Sequence, residues 1–162
     1  MIKLLIPHAV ASRMKNAVQQ AGVQEIGGVL FGEHVSEGVF RICEISIQRH
    51  NGSWIRFVRL MNGGLSKMFF QFFRKNNYRY TKFNYLGEWH SHPTFSLVPS
   101  GQDYRTMQSI VSDPEVGANF AVLMIVKITN GNLQAGVTLF FNNGSCFDGD
   151  VCWEGEENGR RT

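Results

Sequence analysis

The spacing of the apolar residues alternates along this chain between a helical and a strand period, and that order constrains the fold more than any other feature. Residues 7–21 begin with a proline, carry an apolar stripe of helical spacing and stop before Gly22, which predicts an amphipathic helix. The other predicted elements are strands at 25–32 and 39–47 around a turn at 33–38, a short strand at 55–60, a helix at 65–78, a strand at 83–90, a helix at 100–112, and a strand at 119–128 that begins a hairpin around 129–132. This order predicts an α/β sandwich in one domain.

The length of 162 residues fits one domain with a substantial core, and we expect that domain to span 1–152, with a flexible tail at 153–162. No apolar run approaches the roughly 18 residues of a membrane span, and the first residues lack the pattern of a signal peptide, so we expect a cytoplasmic protein. Cys43, Cys146 and Cys152 contain no CxxC pair, which argues against a disulfide framework and a cysteine-ligated zinc. The formal net charge of +3 decides little about partners.

Two histidines stand one residue apart where a predicted strand ends. Because side chains alternate along a strand, His90 and His92 share a face and can bind one ion together. Pro93 stops the strand, and a helix that begins near Ser100 would bring Asp103 back as a third ligand. A helix N-cap with an acidic third position would have the same Ser100 and Asp103, so this pair alone does not require a metal.

The combined pattern is more specific than its parts. Histidine, serine, histidine, seven residues, serine, two residues and aspartate follow one another from His90 to Asp103, and Glu25 stands upstream in "EIGGVLFG". This arrangement resembles the motif of the JAB1/MPN/Mov34 (JAMM) zinc metalloproteases, and the resemblance covers most of the chain. It implies that family's MPN fold, a mixed β-sheet flanked by helices in a single α/β domain related to the cytidine deaminases.

The resemblance also implies a role for each matching residue. His90, His92 and Asp103 would hold a zinc ion. Glu25 would act as general base and acid, taking a proton from the attacking water and passing it to the departing amine. Ser100 would help to stabilise the tetrahedral oxyanion. Since all five positions are filled, the resemblance favours an active peptidase.

Within the family, the chain is most similar to the short bacterial branch found in mobile elements and in anti-phage operons of the CBASS type. The resemblance implies a deubiquitinase-like isopeptidase, which removes a cyclic-nucleotide synthase that an enzyme resembling ubiquitin E1 and E2 has joined through its C-terminus to a lysine amine. Such a substrate would bind in a groove, for which residues 50–62 and 94–98 are the candidate walls.

Three alternatives stay open. A peptidase that trims a sulfur-carrier or other ubiquitin-like protein would use the same zinc chemistry. The stretch "RKNNYRYTK" at 74–82 mixes cations with tyrosines, as nucleic-acid-binding surfaces do, although cations are also favourable at the C-terminal end of a helix. A non-catalytic scaffold is the third, and it conflicts with the complete set of ligands. A zinc nucleobase deaminase is disfavoured, because its HxE and PCxxC signature is missing.

Two neighbouring features have simpler interpretations. Glu88 shares the strand face of His90 and His92 by parity and could support the ligands or contact substrate, but a solvated carboxylate near a strand end is the more frequent explanation. Gly27 and Gly28 lack the lysine and serine that continue a phosphate-binding loop, and they are predicted to allow a close backbone approach beside the site.

Overall fold

A computed structural model describes residues 2–49 and 63–155 of this chain. The predicted strand at 55–60 lies outside these residues, and so does the candidate groove wall at 50–62. The helices of the described part are α1 (His8–Ala21), α2 (Gly63–Lys75) and α3 (Gly101–Ser112). Its strands are β1 (Lys3–Ile6), β2 (Gly27–Ser36), β3 (Val39–Ile45), β4 (Phe83–Ser91), β5 (Phe120–Thr129), β6 (Asn132–Phe141) and β7 (Cys146–Trp153).

The strands form one mixed sheet in the order β1, β3, β2, β4, β5, β6, β7. β1 pairs in parallel with both β3 and β7, which closes the sheet into a barrel. β4 and β5 are also parallel, and the remaining neighbours are antiparallel. The predicted α/β class with a mixed sheet and helices is therefore confirmed, and the sheet closes into a barrel, which was not predicted.

The helices cover opposite faces of the sheet. The buried side of α1 packs into the main core cluster together with Trp89 of β4 and Met124 of β5. On the other face, Met107 of α3 packs against Leu123, and Phe72 of α2 packs against β2. β5 is buried on both faces from Ala121 to Val126, as a central strand under helices must be. No helix in the described ranges is long and apolar enough to cross a membrane.

Several predicted element ends agree with the local geometry. Pro7 caps α1, and Gly22 ends it with a φ of 61°, a left-handed conformation that glycine adopts without strain. Asn130 and Gly131 have φ of 51° and 76° between β5 and β6, which confirms the predicted hairpin turn. The predicted antiparallel pairing of β2 with β3 is confirmed, but the turn between them is shorter than 33–38, because β2 continues to Ser36 and pairs there with β3.

β1 and β7 were not predicted, and together they close the barrel. β1 has only four residues, too few for a periodic signal, and β7 carries two aspartates and a glycine that strands usually avoid. The predicted domain boundary after residue 152 falls inside β7, which ends at Trp153. Glu154 then donates its N–H to the carbonyl of Ile6 and binds Arg41 through its carboxylate. Residues 156–162 lie outside the described ranges.

Gly28 confirms the predicted close backbone approach beside the histidines. A Cβ at this position would overlap the backbone carbonyl of Ser46 and would lie 2.6 Å from the Ser46 Oγ. Both oxygens are already in use: the carbonyl accepts the Trp89 Nε1–H at 2.9 Å, and the hydroxyl accepts the Val29 N–H at 2.8 Å. Any side chain larger than hydrogen would displace these buried bonds.

We expect Gly28→Ala to lower the free energy of unfolding by roughly 2 kcal/mol or more, because the methyl group forces a shift in the buried bonds of Ser46. Gly155→Ala is the matched control, since a Cβ there meets no atom within 4 Å. Urea denaturation measures both, and a Gly28→Ala variant as stable as Gly155→Ala would contradict this account of the packing.

Candidate functional site

The carboxyl end of β4 holds two buried imidazoles close together. His90 and His92 are 4% and 7% exposed, and their Nε2 atoms lie 2.9 Å apart. β4 is fixed on both sides here: His90 stands opposite Gly27 of β2 and Ile125 of β5, and the His92 N–H donates to the carbonyl of Val126 at 2.9 Å. The shared face predicted from parity is therefore confirmed.

The loop after β4 orients His92. Its Nδ1 lies 2.7 Å from the carbonyl oxygen of Ser96, and a carbonyl can only accept a hydrogen bond. The hydrogen of the neutral ring therefore sits on Nδ1, which leaves the lone pair of Nε2 directed towards His90 and free to bind a cation. This contact could not be predicted from the sequence, because the partner is a backbone atom of a loop.

Asp103 returns to the histidines from the first turn of α3. Its Oδ1 lies 3.6 Å from His90 Nε2, and its Oδ2 lies 4.0 Å from His92 Nε2. Oδ2 also accepts the Ser100 N–H at 2.7 Å, while the Asp103 N–H donates to Ser100 Oγ at 3.2 Å. This is a complete capping box, so the N-cap and the ligand position, which seemed to be competing interpretations, are served by one carboxylate.

The three side chains fit a metal ion in geometry and in charge. Their ligand atoms lie within 4.8 Å of one another. Tetrahedral zinc with ligands at about 2.0–2.1 Å places neighbouring ligand atoms about 3.3 Å apart, and the measured separations of 2.9, 3.6 and 4.0 Å lie around that value. Burial, and less strongly the neighbouring His92, lower the pKa of His90 to about 4 against the opposing effect of Asp103. The imidazole is therefore neutral at physiological pH, which is the form that binds metals.

Glu25 precedes β2, the strand that pairs with the histidine-bearing end of β4. It is exposed and stands two residues before β2 begins, so the predicted start of that strand at residue 25 was early. Its neighbour Ile26 is tied to Ser91, the residue between the histidines: Ser91 N–H donates to the Ile26 carbonyl at 2.8 Å, and Ile26 N–H donates to Ser91 Oγ at 3.0 Å. The register that places Gly27 opposite His90 therefore brings the Glu25 backbone to the level of His92.

Glu88 is buried, so its interpretation as a solvated carboxylate near a strand end is wrong. It is 4% exposed, stands between Val29 of β2 and Leu123 of β5, and lies two residues before His90 on the same strand. Burial raises the pKa of this carboxyl to about 8, so much of it is protonated at neutral pH. Its Oε1 has no hydrogen-bond partner among the described residues. A buried acid this close to the histidines extends the polar site beneath the sheet surface.

Comparison with known proteins agrees with this geometry. Residues 7–138 match the family described as prokaryotic homologs of the JAB domain. A protein of Enterobacter hormaechei subsp. hoffmannii (strain UCI 50) named CD-NTase/cGAS isopeptidase is 27% identical over 125 residues, which cover 76% of this chain. The match spans 66% of that relative, just under two thirds of its length. A protein from Desulfitobacterium hafniense solved in solution shares the fold, with a TM-score of 0.62, 16% identity and 94% of each chain covered. The chain therefore belongs to the prokaryotic homologs of the JAB domain.

Proposed function

We propose that this chain is a JAMM-type zinc isopeptidase that hydrolyses the amide after the C-terminus of a conjugated protein. The observation that supports the proposal is the group formed by His90, His92 and Asp103. Their ligand atoms lie within 4.8 Å of one another, and their side chains are largely buried. Two neutral imidazoles and a carboxylate are a typical donor set for catalytic zinc, which keeps a further position for water or substrate. Membership of the JAB family supports the same chemistry.

The residues around the ion divide the reaction between them. Zinc, when bound, supplies Lewis acidity that activates water at neutral pH. Glu25, which is exposed, accepts the proton of the attacking water and returns it to the departing amine. Ser100 accepts the Asp103 N–H with an oxygen lone pair, so its hydroxyl hydrogen remains able to donate to the oxyanion. Ser91 holds the backbone next to Glu25 and thereby positions the base.

We propose the substrate class from the name of the Enterobacter hormaechei relative. Its name assigns an isopeptidase activity toward enzymes of the CD-NTase/cGAS group, and we extend this to a conjugated cyclic-nucleotide synthase as substrate of this chain. The pathway would then include an E1- and E2-like enzyme that forms the bond which this protein breaks, as part of anti-phage defence. A sulfur-carrier or other ubiquitin-like protein is the alternative substrate, and cleavage of fusions made with each protein distinguishes the two.

The loop at 94–98 is a suitable wall for the substrate groove. Phe95 is 65% exposed although its ring centroid lies 6.2 Å from that of His92, and Val98 is 63% exposed. Exposed apolar side chains next to a metal group favour contact with a ligand. An extended C-terminal tail could pack against them on its way to the ion.

Glu25→Gln tests the reaction. We expect the variant to bind one zinc per chain like the parent and to lose about 100- to 10,000-fold in cleavage rate, because an amide cannot accept the proton of water. Zinc content is measured by elemental analysis. Cleavage is measured on fusions that join either the C-terminus of a cyclic-nucleotide synthase or that of a sulfur carrier to a reporter.

The two readouts separate the possible failures. Cleavage of the sulfur-carrier fusion alone would keep the peptidase and change its substrate. Zinc binding without cleavage of either fusion would contradict the isopeptidase assignment, and a protein that binds no zinc would contradict the mechanism.

Asp103→Asn and Ser100→Ala separate the metal ligand from the helix cap. Asparagine still offers an oxygen to the Ser100 N–H, so Asp103→Asn should lose little stability but should weaken zinc binding by more than the roughly 10- to 100-fold typical of outer-shell changes. Ser100→Ala removes the hydroxyl that accepts the Asp103 N–H, so it should cost about 1 kcal/mol of stability while zinc is retained. Zinc titration and urea denaturation measure both, and equal zinc affinity in Asp103→Asn and the parent would remove Asp103 from the ligand set.

Phe95→Asp combined with Val98→Asp tests the groove. We expect a Michaelis constant raised by about tenfold with zinc content unchanged, because the loss of two exposed apolar contacts weakens binding of the tail without touching the ion. Phe147→Asp, which changes an aromatic side chain of β7 that is 62% exposed, is the matched control. A loss of zinc in the double variant would show that the loop is structural.

A further inference from the structure

A cleft of about 300 Å³ opens at the end of the barrel opposite to the histidines. It lies where β2 finishes and where β3, β4 and β5 begin, and its walls include His34, Phe40, Tyr80, Lys82, Asn119 and Phe120. His90 lies six positions after Asn84 at the cleft, a distance of about 20 Å along an extended strand. The cleft is therefore distinct from the proposed catalytic site.

Aromatic rings form much of the wall. The His34 ring stacks on Phe40 with centroids 5.1 Å apart and planes 27° apart, and Phe40 lies 5.3 Å from Phe120. Tyr80 rests on Phe73 at 5.0 Å, yet it is 55% exposed. Flat rings that are held from behind and open in front are stacking surfaces for another flat ring.

The segment that forms one wall of the same cleft is rich in cations. The segment 74–82, predicted above as a possible nucleic-acid-binding stretch, supplies Tyr80 and Lys82 to the wall. Lys82 pairs with Glu33 at 3.0 Å, but within the described ranges no carboxylate lies within 4.0 Å of Arg74, Lys75 or Arg79. A ligand that brings negative charge next to a flat ring would match this surface.

A helix C-terminus explains only part of this segment. Lys75 belongs to the last turn of α2, where cations are favourable, but Arg79 follows the helix and lies 6.0 Å over the ring of Phe83. Tyr78 has a φ of 53°, a left-handed conformation that bulky residues rarely adopt and that a glycine or asparagine would adopt with less strain. It is 46% exposed beside Tyr80, with ring centroids 6.3 Å apart. The Tyr78 N–H donates to the carbonyl of Phe73 at 2.8 Å, so this left-handed turn caps α2 and leaves the exposed ring available for contact with a ligand.

We propose that this cleft binds a nucleotide, with the base against Tyr80 and the His34–Phe40 stack and the phosphate against the cations of segment 74–82. The volume lies at the lower limit of small-molecule sites and suits one nucleotide. The amide of Asn119 at the wall offers both a donor and an acceptor to a base edge. The same chemistry could come from a free nucleotide or from one unit of a single strand.

Titration of the full chain with adenosine 5′-monophosphate and with a fluorescent single-stranded oligoadenylate tests the proposal at low and at moderate salt. We expect Tyr80→Leu to weaken binding by about tenfold or more, because stacking of one base contributes roughly 1–3 kcal/mol, and Tyr80→Phe to bind within about twofold of the parent. Arg79→Gln should weaken binding and lower its salt dependence. Phe147→Leu is the control for a distant exposed aromatic.

The results distinguish a free nucleotide from a single strand as the ligand, and they also test the proposal itself. Equal affinity for the mononucleotide and the strand would identify a site for free nucleotides, whereas much tighter, steeply salt-dependent binding of the strand would identify a single-strand site. Absence of binding to either probe at low salt would overturn the proposal. Binding by Tyr80→Leu and Arg79→Gln as tight as that of the parent would also overturn it, and the Tyr80→Phe variant separates a loss of stacking from a loss of folding.

Discussion

The position of the two histidines and of Glu25 depends on one pairing, between the start of β2 and the end of β4. Ser91 and Ile26 exchange two hydrogen bonds there, and the Ser91 side chain is fully buried. This pairing fixes which face of β4 carries the histidines, because a shift of one residue would turn both rings into the core beneath α1. It also sets the chain that carries Glu25 at the level of His92. A metal group built on two paired strands is positioned more accurately than one built on loops.

Asp103 joins this pair of strands to a helix. Its carboxylate completes the capping box of α3 and faces the two imidazoles, so the start of the helix and the position of the third ligand cannot vary independently. Without a cation, the two buried Nε2 atoms at 2.9 Å can share one hydrogen in an N–H···N hydrogen bond. The proposed cation would replace this hydrogen bond, and the free energy of its binding would add to the stability of the fold.

The sequence predicted the elements that have strong periodic signals and missed those whose place depends on the rest of the barrel. α1, β5 and the hairpin at 129–132 follow from apolar spacing and turn chemistry. β1 and β7 are too short or too polar to be recognised alone, and they are strands because each completes the pairing of the other. The three candidate ligands were correctly grouped, because strand parity and helix capping are local rules. The burial of Glu88 was not predictable, because it depends on α2 and α3 covering both neighbouring strands.

The two proposed sites lie near opposite ends of β4, a central strand of the sheet. Between the ends the strands are filled by packing, with Trp89 fully buried and held by Ser46. The groups of the two proposed sites lie where strands meet loops: the histidines and Phe95 at the carboxyl end of β4, and Tyr80 near its amino end. β4 is paired on both sides along this distance, so a ligand at one end could affect the other only by moving a central strand of the sheet. Such movement would break buried hydrogen bonds, so we expect the two proposed sites to bind their ligands independently.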